Sequence, residues 1–425
     1  MNPVQAAHAL FDSASRGFAV RLWDGTVLPA RRADAARGEV VLRDPAALRL
    51  VLPPTSERRV AEAYLDQEIE LEGDVVSVLA AAAQWEGPRV HPALAPAAVR
   101  AALDGALSRR SAGAFLAGAW QRVHSLARDR RAVRHHYDVS DDFYRLFLDA
   151  DMVYSCAYFA SGRESLEEAQ RAKLDLVCRK LQLRPGERFL DVGCGWGALL
   201  AHAATRFGVH GVGITLSENQ LAVARRRLAA LAPPARADAL AADYRTLPRE
   251  QVFDKVASVG MMEHVGRERL GEYFRAVHRH LAPGGLFLNH AIADISGSDT
   301  IPWLGRRGGG FIDRYIFPDG DLVPVGMVAG AAERAGLEVR DVESLREHYE
   351  ETLLHWLARL EGRFSDAIAL VGQRRARAYR LYLASSAAAF RVGRIGVYQI
   401  LLARPTGDGR VQGVPRSREA WYRGA

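Results

Sequence analysis

The sequence predicts an α/β protein built on an open, mostly parallel, Rossmann-like sheet, preceded by a small α+β domain. Three observations carry this. First, Phe189 to Gly197 reads F-L-D-V-G-C-G-W-G, an apolar run that closes on Asp191 and then on glycines at alternate positions, Gly193, Gly195 and Gly197. The helical pattern A-L-L-A-H-A-A-T-R-F follows, so the stretch reads as buried strand, tight turn and helix. Second, G-V-H-G-V-G-I-T-L-S-E-N-Q supplies another strand, ending near Thr215. Third, strand-like runs recur at A-L-A-A-D-Y-R-T-L, V-F-D-K-V-A-S-V-G and H-L-A-P-G-G-L-F-L-N-H-A-I. Glycines let backbone approach a ligand closely, and a helix start offers N–H donors to an anionic or zwitterionic group.

A chain of 425 residues is expected to hold two or three domains at ~150 residues each. Its apolar fraction of 49% and charged fraction of 25% are those of a soluble globular protein. No apolar run approaches the ~18 residues that span a bilayer, and the opening M-N-P-V-Q-A-A-H-A-L lacks the pattern of a signal peptide. Cys156, Cys178 and Cys194 form neither a disulfide framework nor a zinc-ligand spacing, which fits a reducing cytoplasm. The net charge of +7 is modest for this length. Arg128, Arg130, Arg131 and Arg134 cluster before His135; such a cluster is a solvated face or holds an anionic membrane surface. No aromatic-interleaved basic stripe points to nucleic acid.

Residues 1–110 read as the small α+β domain, without a set of nucleophile, base or metal ligands. In it V-R-L-W-D-G-T-V places an Asp-Gly turn between two alternating runs, a hairpin signal. L-R-D-P-A-A-L-R-L-V-L carries a helix start, and E-A-Y-L-D-Q-E-I-E-L-E-G-D alternates again. Alanine and arginine at helical spacing follow, broken at Gly87-Pro88, Pro92 and Pro96, and residues 111–134 are assigned to a helical linker. The main domain, 135–425, opens on H-H-Y-D-V-S-D-D-F-Y-R-L-F-L-D-A-D-M-V-Y-S-C-A-Y-F. Phe143, Leu146 and Phe147 recur as core. The polar set His136, Tyr137, Asp138, Tyr154, Ser155 and Cys156 is denser than packing needs, although Cys156 alone fits an inert buried thiol equally well.

Ligands of open parallel sheets bind beyond the carboxyl ends of the strands. At the second strand end Thr215 stands where a dinucleotide fold has an acidic residue, with Glu218 and Gln220 behind it. Glu263 and His264 follow the fourth strand, and His290 and Ile292 end the fifth. A Glu-His pair also fits a helix cap or a surface salt link, and neither spacing suggests a metal. Beyond Ile301, I-P-W-L-G-R-R-G-G-G-F-I-D-R-Y-I-F-P-D-G reads as an aromatic-bearing loop. The helix E-H-Y-E-E-T-L-L-H-W-L-A-R-L-E-G-R-F then carries a stripe of Leu353, Trp356, Leu357 and Leu360. Such a stripe describes ordinary core; inserted over about 300–390, it also describes a cap with an apolar interior suited to an acyl chain. The chain closes on F-R-V-G-R-I-G-V-Y-Q-I-L-L-A-R-P, a predicted strand pair.

Y-S-C-A-Y-F, D-V-G-C-G-W-G, M-E-H-V-G and R-Y-I-F-P-D-G occur in this order, and G-I-T-L-S-E-N-Q lacks the usual acidic residue. In these motifs, from about His136 to Arg404, the chain resembles the cyclopropane-fatty-acyl-phospholipid synthase family. The resemblance implies a class I methyltransferase sheet with a helical acyl-chain cap. It implies methyl transfer from S-adenosylmethionine to the double bond of an unsaturated acyl chain in a membrane phospholipid, a proton then being lost to close a cyclopropane ring. Carried over, Tyr154 and Ser155 meet the carboxylate or sulfonium side of the cofactor, and Asp191, Gly193, Gly195 and Gly197 form its turn. Thr215, Leu216 and Gln220, with Asp243, Tyr244 and Arg245 at the adenine end, complete the site. The base implied is a bicarbonate ion, held by the side chains of Cys156, Glu263, His290 and Tyr349 and by the backbone of Ile292. Ser386 stands where family members often have a cysteine.

Two other products stay open: a 10-methylene acyl chain, which differs in the proton lost, and a methylated small-molecule amine, which needs no bicarbonate set. A lipid-binding module without activity is the remaining alternative. The partners expected are phospholipid and the inner face of the cell membrane, engaged peripherally from the cytoplasm. A homodimer is compatible with the sequence, and nucleic acid is not expected.

Overall fold

The computed structural model describes residues 2–12, 16–32, 35–51, 56–85, 140–296, 310–318, 320–411 and 414–422. The predicted linker over 111–134, the arginine cluster, His136, Tyr137, Asp138 and loop residues 301–309 lie outside the described residues. Two units are distinguished: one of Met1–Gln121, Thr300–Ile316 and Gly372–Val392, the other of Arg122–Asp299, Phe317–Val371 and Gly393–Ala425.

In the first unit β1 (Ala19–Arg21), β2 (Val27–Leu28), β3 (Gly38–Leu42) and β4 (Ile69–Gly73) form a sheet of order β2-β1-β3-β4. The Asp-Gly turn is present where expected. Gly25 takes a φ of +88°, Leu22 donates to Thr26 O at 2.8 Å, and Asp24 Oδ1 accepts from Thr26 N–H at 3.0 Å. The stretch predicted to alternate divides into a helix, Glu57–Leu65, and β4. Helix Gln373–Arg391, which lies in the range assigned to the cap, folds with this unit. Its Arg377 explains the attachment: the guanidinium donates to Tyr64 O at 2.9 and 2.6 Å and to Glu70 at 2.8 Å, and lies 3.9 Å from the Tyr64 ring centre. Ser386 is on the buried face of the same helix.

The second unit holds β5 (Arg188–Val192), β6 (His210–Thr215), β7 (Arg236–Ala241), β8 (Phe253–Val259), β9 (Leu281–Asp294), β10 (Glu338–Ser344) and β11 (Ile395–Ala403). Their order is β10-β11-β9-β8-β5-β6-β7. β5 to β9 pair in parallel, and β11 runs antiparallel to both β9 and β10. The four central strands carry the buried apolar runs, because helices cover both faces and water reaches neither. One face packs Leu190, Val256 and Phe287 against Tyr273 and Phe274; the other packs Phe189, Ala257 and Leu288 against Leu176, Leu200 and Ala203. The predicted closing strand pair is a single strand, β11, and its partner is β10. Residues before Gly393 belong to the preceding helix and its turn, while E-V-R-D-V-E-S in β10 is too charged to announce itself as sheet.

Candidate active site

The glycine-rich turn leaves β5 with φ of +83° at Gly193. Gly193 and Cys194 both donate their N–H groups to Ile214 O, at 2.9 and 3.0 Å, and Gly197 donates to Cys194 O at 2.9 Å. A Cβ on Gly193 would come within 2.9 Å of Met261 Cβ, so the turn admits no side chain there. Beyond the turn opens a cavity lined by Tyr154 and Ser155, by Asp191, Gly193 and Gly195, by Thr215, Leu216 and Gln220, and by Asp243, Tyr244 and Arg245. All of these stand in the cofactor set implied by the sequence. Gly197 is the exception: it begins helix Ala198–Phe207 and its Cα faces Ala224, 3.2 Å from where a Cβ would sit. Its place is in helix–helix packing.

The strand ends carry polar groups already organised. Thr215 Oγ1 accepts from Ser217 N–H and donates to Gln220 Oε1, both at 3.2 Å, which orients the Gln220 side chain and leaves its amide protons for a ligand. Asp243 is closed over by its neighbour Arg245, which donates to both carboxylate oxygens at 2.8 and 2.6 Å. Tyr154 and Trp196 belong to an aromatic wall with Tyr144 between them, each ring centre 5.3 Å from that of Tyr144. Sequence reasoning missed Lys173, which also lines the cavity and donates to Ser155 Oγ at 2.7 Å. Desolvation pulls this ammonium down to about 8 and pushes the Asp191 carboxyl up to about 7.

A second set of groups adjoins the cavity through chain neighbours. Cys156 follows Ser155, Glu263 lies between the lining residues Met261 and His264, and Gly260 donates to His290 O at 2.8 Å. Glu263 Oε1 accepts from Ile292 N–H at 2.8 Å, so the Ile292 amide reaches the site through Glu263. Burial raises this carboxyl to about 7, against the lowering effect of that hydrogen bond. Gln399, opposite His290 in the β11–β9 ladder, places its amide nitrogen 3.3 Å from His290 Nδ1; with the amide in this orientation the neutral ring carries its proton on Nε2. Desolvation, with the charges of Lys173 and Lys180, holds His290 well below its usual range and hence neutral. Glu263 Oε2 and His290 Nε2 are both buried without a hydrogen-bond partner among the described residues.

Leu345 ties in the remaining two residues. Its carbonyl accepts from Cys156 Sγ at 3.8 Å and from Tyr349 N–H at 3.1 Å, and its own N–H donates to Val397 O at 2.9 Å, opposite Ile292. The Cys156 thiol is fully buried and pushed up by desolvation, so it stays protonated. Tyr349 is buried, its ring 6.1 Å from that of Trp356. Trp356 Nε1, on the predicted apolar stripe, is a further buried donor without a partner. No cluster of metal-ligating side chains occurs among the described residues.

The model of the mycolic acid cyclopropane synthetase family matches residues 124–400, well over half of the chain. The chain belongs to that family. It is an S-adenosylmethionine-dependent methyltransferase with the class I sheet. A probable fatty acid methyltransferase of Pseudomonas putida is 40% identical over 404 residues, 95% of this chain and 96% of the relative. The cyclopropane mycolic acid synthase MmaA2 of Mycobacterium tuberculosis (strain H37Rv) is 37% identical, spanned in full by 66% of this chain. Its solved structure aligns with a TM-score of 0.61 at 38% identity, covering 64% of this chain and 98% of that one. A mycolic acid cyclopropane synthase complexed with SAH and CTAB aligns with the same score, identity and coverage.

Proposed function

We propose that the protein transfers the methyl group of S-adenosylmethionine to the double bond of an unsaturated acyl chain in a membrane phospholipid and forms a cyclopropane ring. The observation that carries this reading is the pair of buried, unpartnered atoms, Glu263 Oε2 and His290 Nε2, beside the cofactor cavity. Buried polar groups are normally paired, so a free carboxylate oxygen on the residue that holds Ile292 N–H, and a free ring nitrogen two positions earlier on β9, fit a small hydrogen-bonding anion. Methylation of an amine requires no such pair. The substrate class is supported by the relative that spans nearly the whole chain, a probable fatty acid methyltransferase. The mycolic acid synthase, spanned by two thirds of the chain, covers less of it.

When bound, S-adenosylmethionine supplies an electrophilic methyl group, and bicarbonate supplies a base for the proton released. Glu263 Oε2, His290 Nε2 and Tyr349 are the residues that would hold the bicarbonate, with Cys156 alongside. Ionised Glu263 accepts its hydroxyl proton, and neutral His290 donates to its oxygen. Neutrality matters in both neighbours: an imidazolium would repel a sulfonium, and a thiolate at Cys156 would itself be methylated. The aromatic wall of Tyr144, Tyr154, Trp196 and Trp356 excludes water that would trap a cationic intermediate.

Incubation with S-adenosylmethionine and vesicles of an oleoyl phospholipid, then mass and proton spectra of the released fatty acid, tests the reading. Gain of one CH2 with high-field cyclopropane protons is expected. Vinylidene protons would replace it by the 10-methylene product, and no gain with cofactor bound would move the acceptor to a small-molecule amine. Membrane contact is assigned to Arg128, Arg130 and Arg131; their replacement by Gln should weaken binding to anionic vesicles at low salt, and unchanged binding would remove that role.

A further inference from the structure

Helix Leu166–Lys180 begins with a capping box between Ser165 and Glu168 and turns Gln170 and Lys173 inward among apolar residues. Side chains three apart are neighbours on a helix surface, and these two grip one segment of chain. Gln170 Nε2 donates to Ser155 O at 2.9 Å and to Val153 O at 3.4 Å, while Lys173 Nζ donates to Ser155 Oγ. Lys173 is 1% exposed, and Asp191, on the wall of the same cavity, is 2% exposed. No hydrogen bond or ion pair of the Asp191 carboxyl occurs among the described residues. Burying an unpaired carboxylate is costly, and the charge of Lys173 alone opposes that cost.

We propose that Lys173 is a positioning residue for the cofactor: its ammonium turns the Ser155 hydroxyl proton into the cavity and favours the ionised form of Asp191 on the wall of the same cavity. An ammonium only donates, so a serine oxygen that accepts from it must send its own proton elsewhere. The cavity then presents a hydroxyl donor and a carboxylate acceptor together. S-adenosylmethionine carries the complement, a carboxylate and an α-ammonium on one carbon. Lys173 also faces Asp149 and the Cys156 thiol, and lies within electrostatic reach of His290; Asp191 also faces the protonated thiols of Cys178 and Cys194. With Asp191 at about 7 and Lys173 at about 8 in the free protein, cofactor binding strengthens as the pH rises through the carboxyl's range.

Calorimetry of S-adenosylmethionine binding to the full chain, from about pH 6 to about pH 8, tests this. The wild type should bind more tightly as the pH rises, with a midpoint near 7, and Asp191→Asn should lose that dependence. Lys173→Met should move the midpoint upward and weaken binding at neutral pH by ~10-fold, the equivalent of one pK unit. Lys173→Gln keeps a donor for Ser155 without the charge and should move the midpoint likewise, which covers failure of the Met variant to fold. A merely structural lysine would lower the melting temperature and leave the midpoint in place. An unmoved midpoint in the folded variants, or a flat wild-type profile, overturns the proposal.

Discussion

Glu263 sits on a strand-end turn with one oxygen committed to Ile292 and the other uncommitted and buried, so its charge governs two measurable quantities. In the proposed reaction Glu263 acts as the carboxylate, so the rate should rise as the pH passes about 7. Glu263→Gln should lower kcat by ~100-fold or more, as expected when the group that holds and orients the base is lost, with cofactor affinity within a few fold; loss of that affinity would contradict the assignment. Stability runs the other way. A carboxyl whose folded pKa is raised is favoured protonated, so its contribution is present below the ordinary carboxylate range and is lost as the pH rises through the folded value. For Glu263, raised from 4.5 to about 7, the loss is of order 3 kcal/mol. Denaturant titrations of the unliganded protein should show it, and Glu263→Gln should flatten the decline. The sequence pointed to Cys156 and Glu263 through Y-S-C-A-Y-F and M-E-H-V-G, and to Tyr349 and the role of His290 only through the family resemblance. Lys173 escaped because its helix carries many charges, and spacing from Ala169 and Val177 is the only sign that this one faces inward. Gln399 was legible in principle as a lone polar residue in an apolar strand.

Among the elements, the turn after β5 and the helix Leu166–Lys180 decide whether a cofactor site exists. Gly193→Ala meets both a left-handed φ and Met261 at 2.9 Å, so a cost of ~2 kcal/mol or more is expected along with loss of cofactor binding. Gly260→Ala shares the positive φ but has open space around its Cβ, so it should cost ~1 kcal/mol and spare binding more. Thermal melts and calorimetry on the pair separate strain from obstruction. Strand ends were read closely, because β-branched runs ending in glycine or polar residues mark the carboxyl edge of a parallel sheet. β10 carries no such mark: its alternation of Val with charged residues belongs to an edge strand defined by its partner β11, and pairing across registers as distant as Glu338 with Ala403 leaves no local trace.

At the scale of the molecule, the sheet order could be anticipated from the fold class, whereas the division into units could not. Helix Gln373–Arg391 lies far along the chain from the β4 region it joins, and its arginines make the attachment: Arg377 on Tyr64 and Glu70, Arg374 on Asp66, Arg380 on the Tyr64 hydroxyl and Arg391 on Ser77. Arg377→Met leaves Glu70 with the more distant Arg43 and Arg380, at 3.8 and 3.9 Å, and removes both donors from Tyr64 O, so a loss of ~2 kcal/mol is expected. Calorimetric scanning should register it as earlier melting, and an unchanged scan would count against the clasp. The three cysteines have a practical consequence. All are buried, and burial pushes each thiol's pKa up, so thiolate is scarce at neutral pH. Maleimide and iodoacetamide reagents should therefore leave the folded chain unmarked, and one cysteine introduced on the surface would accept a fluorophore or spin label without any native residue being replaced.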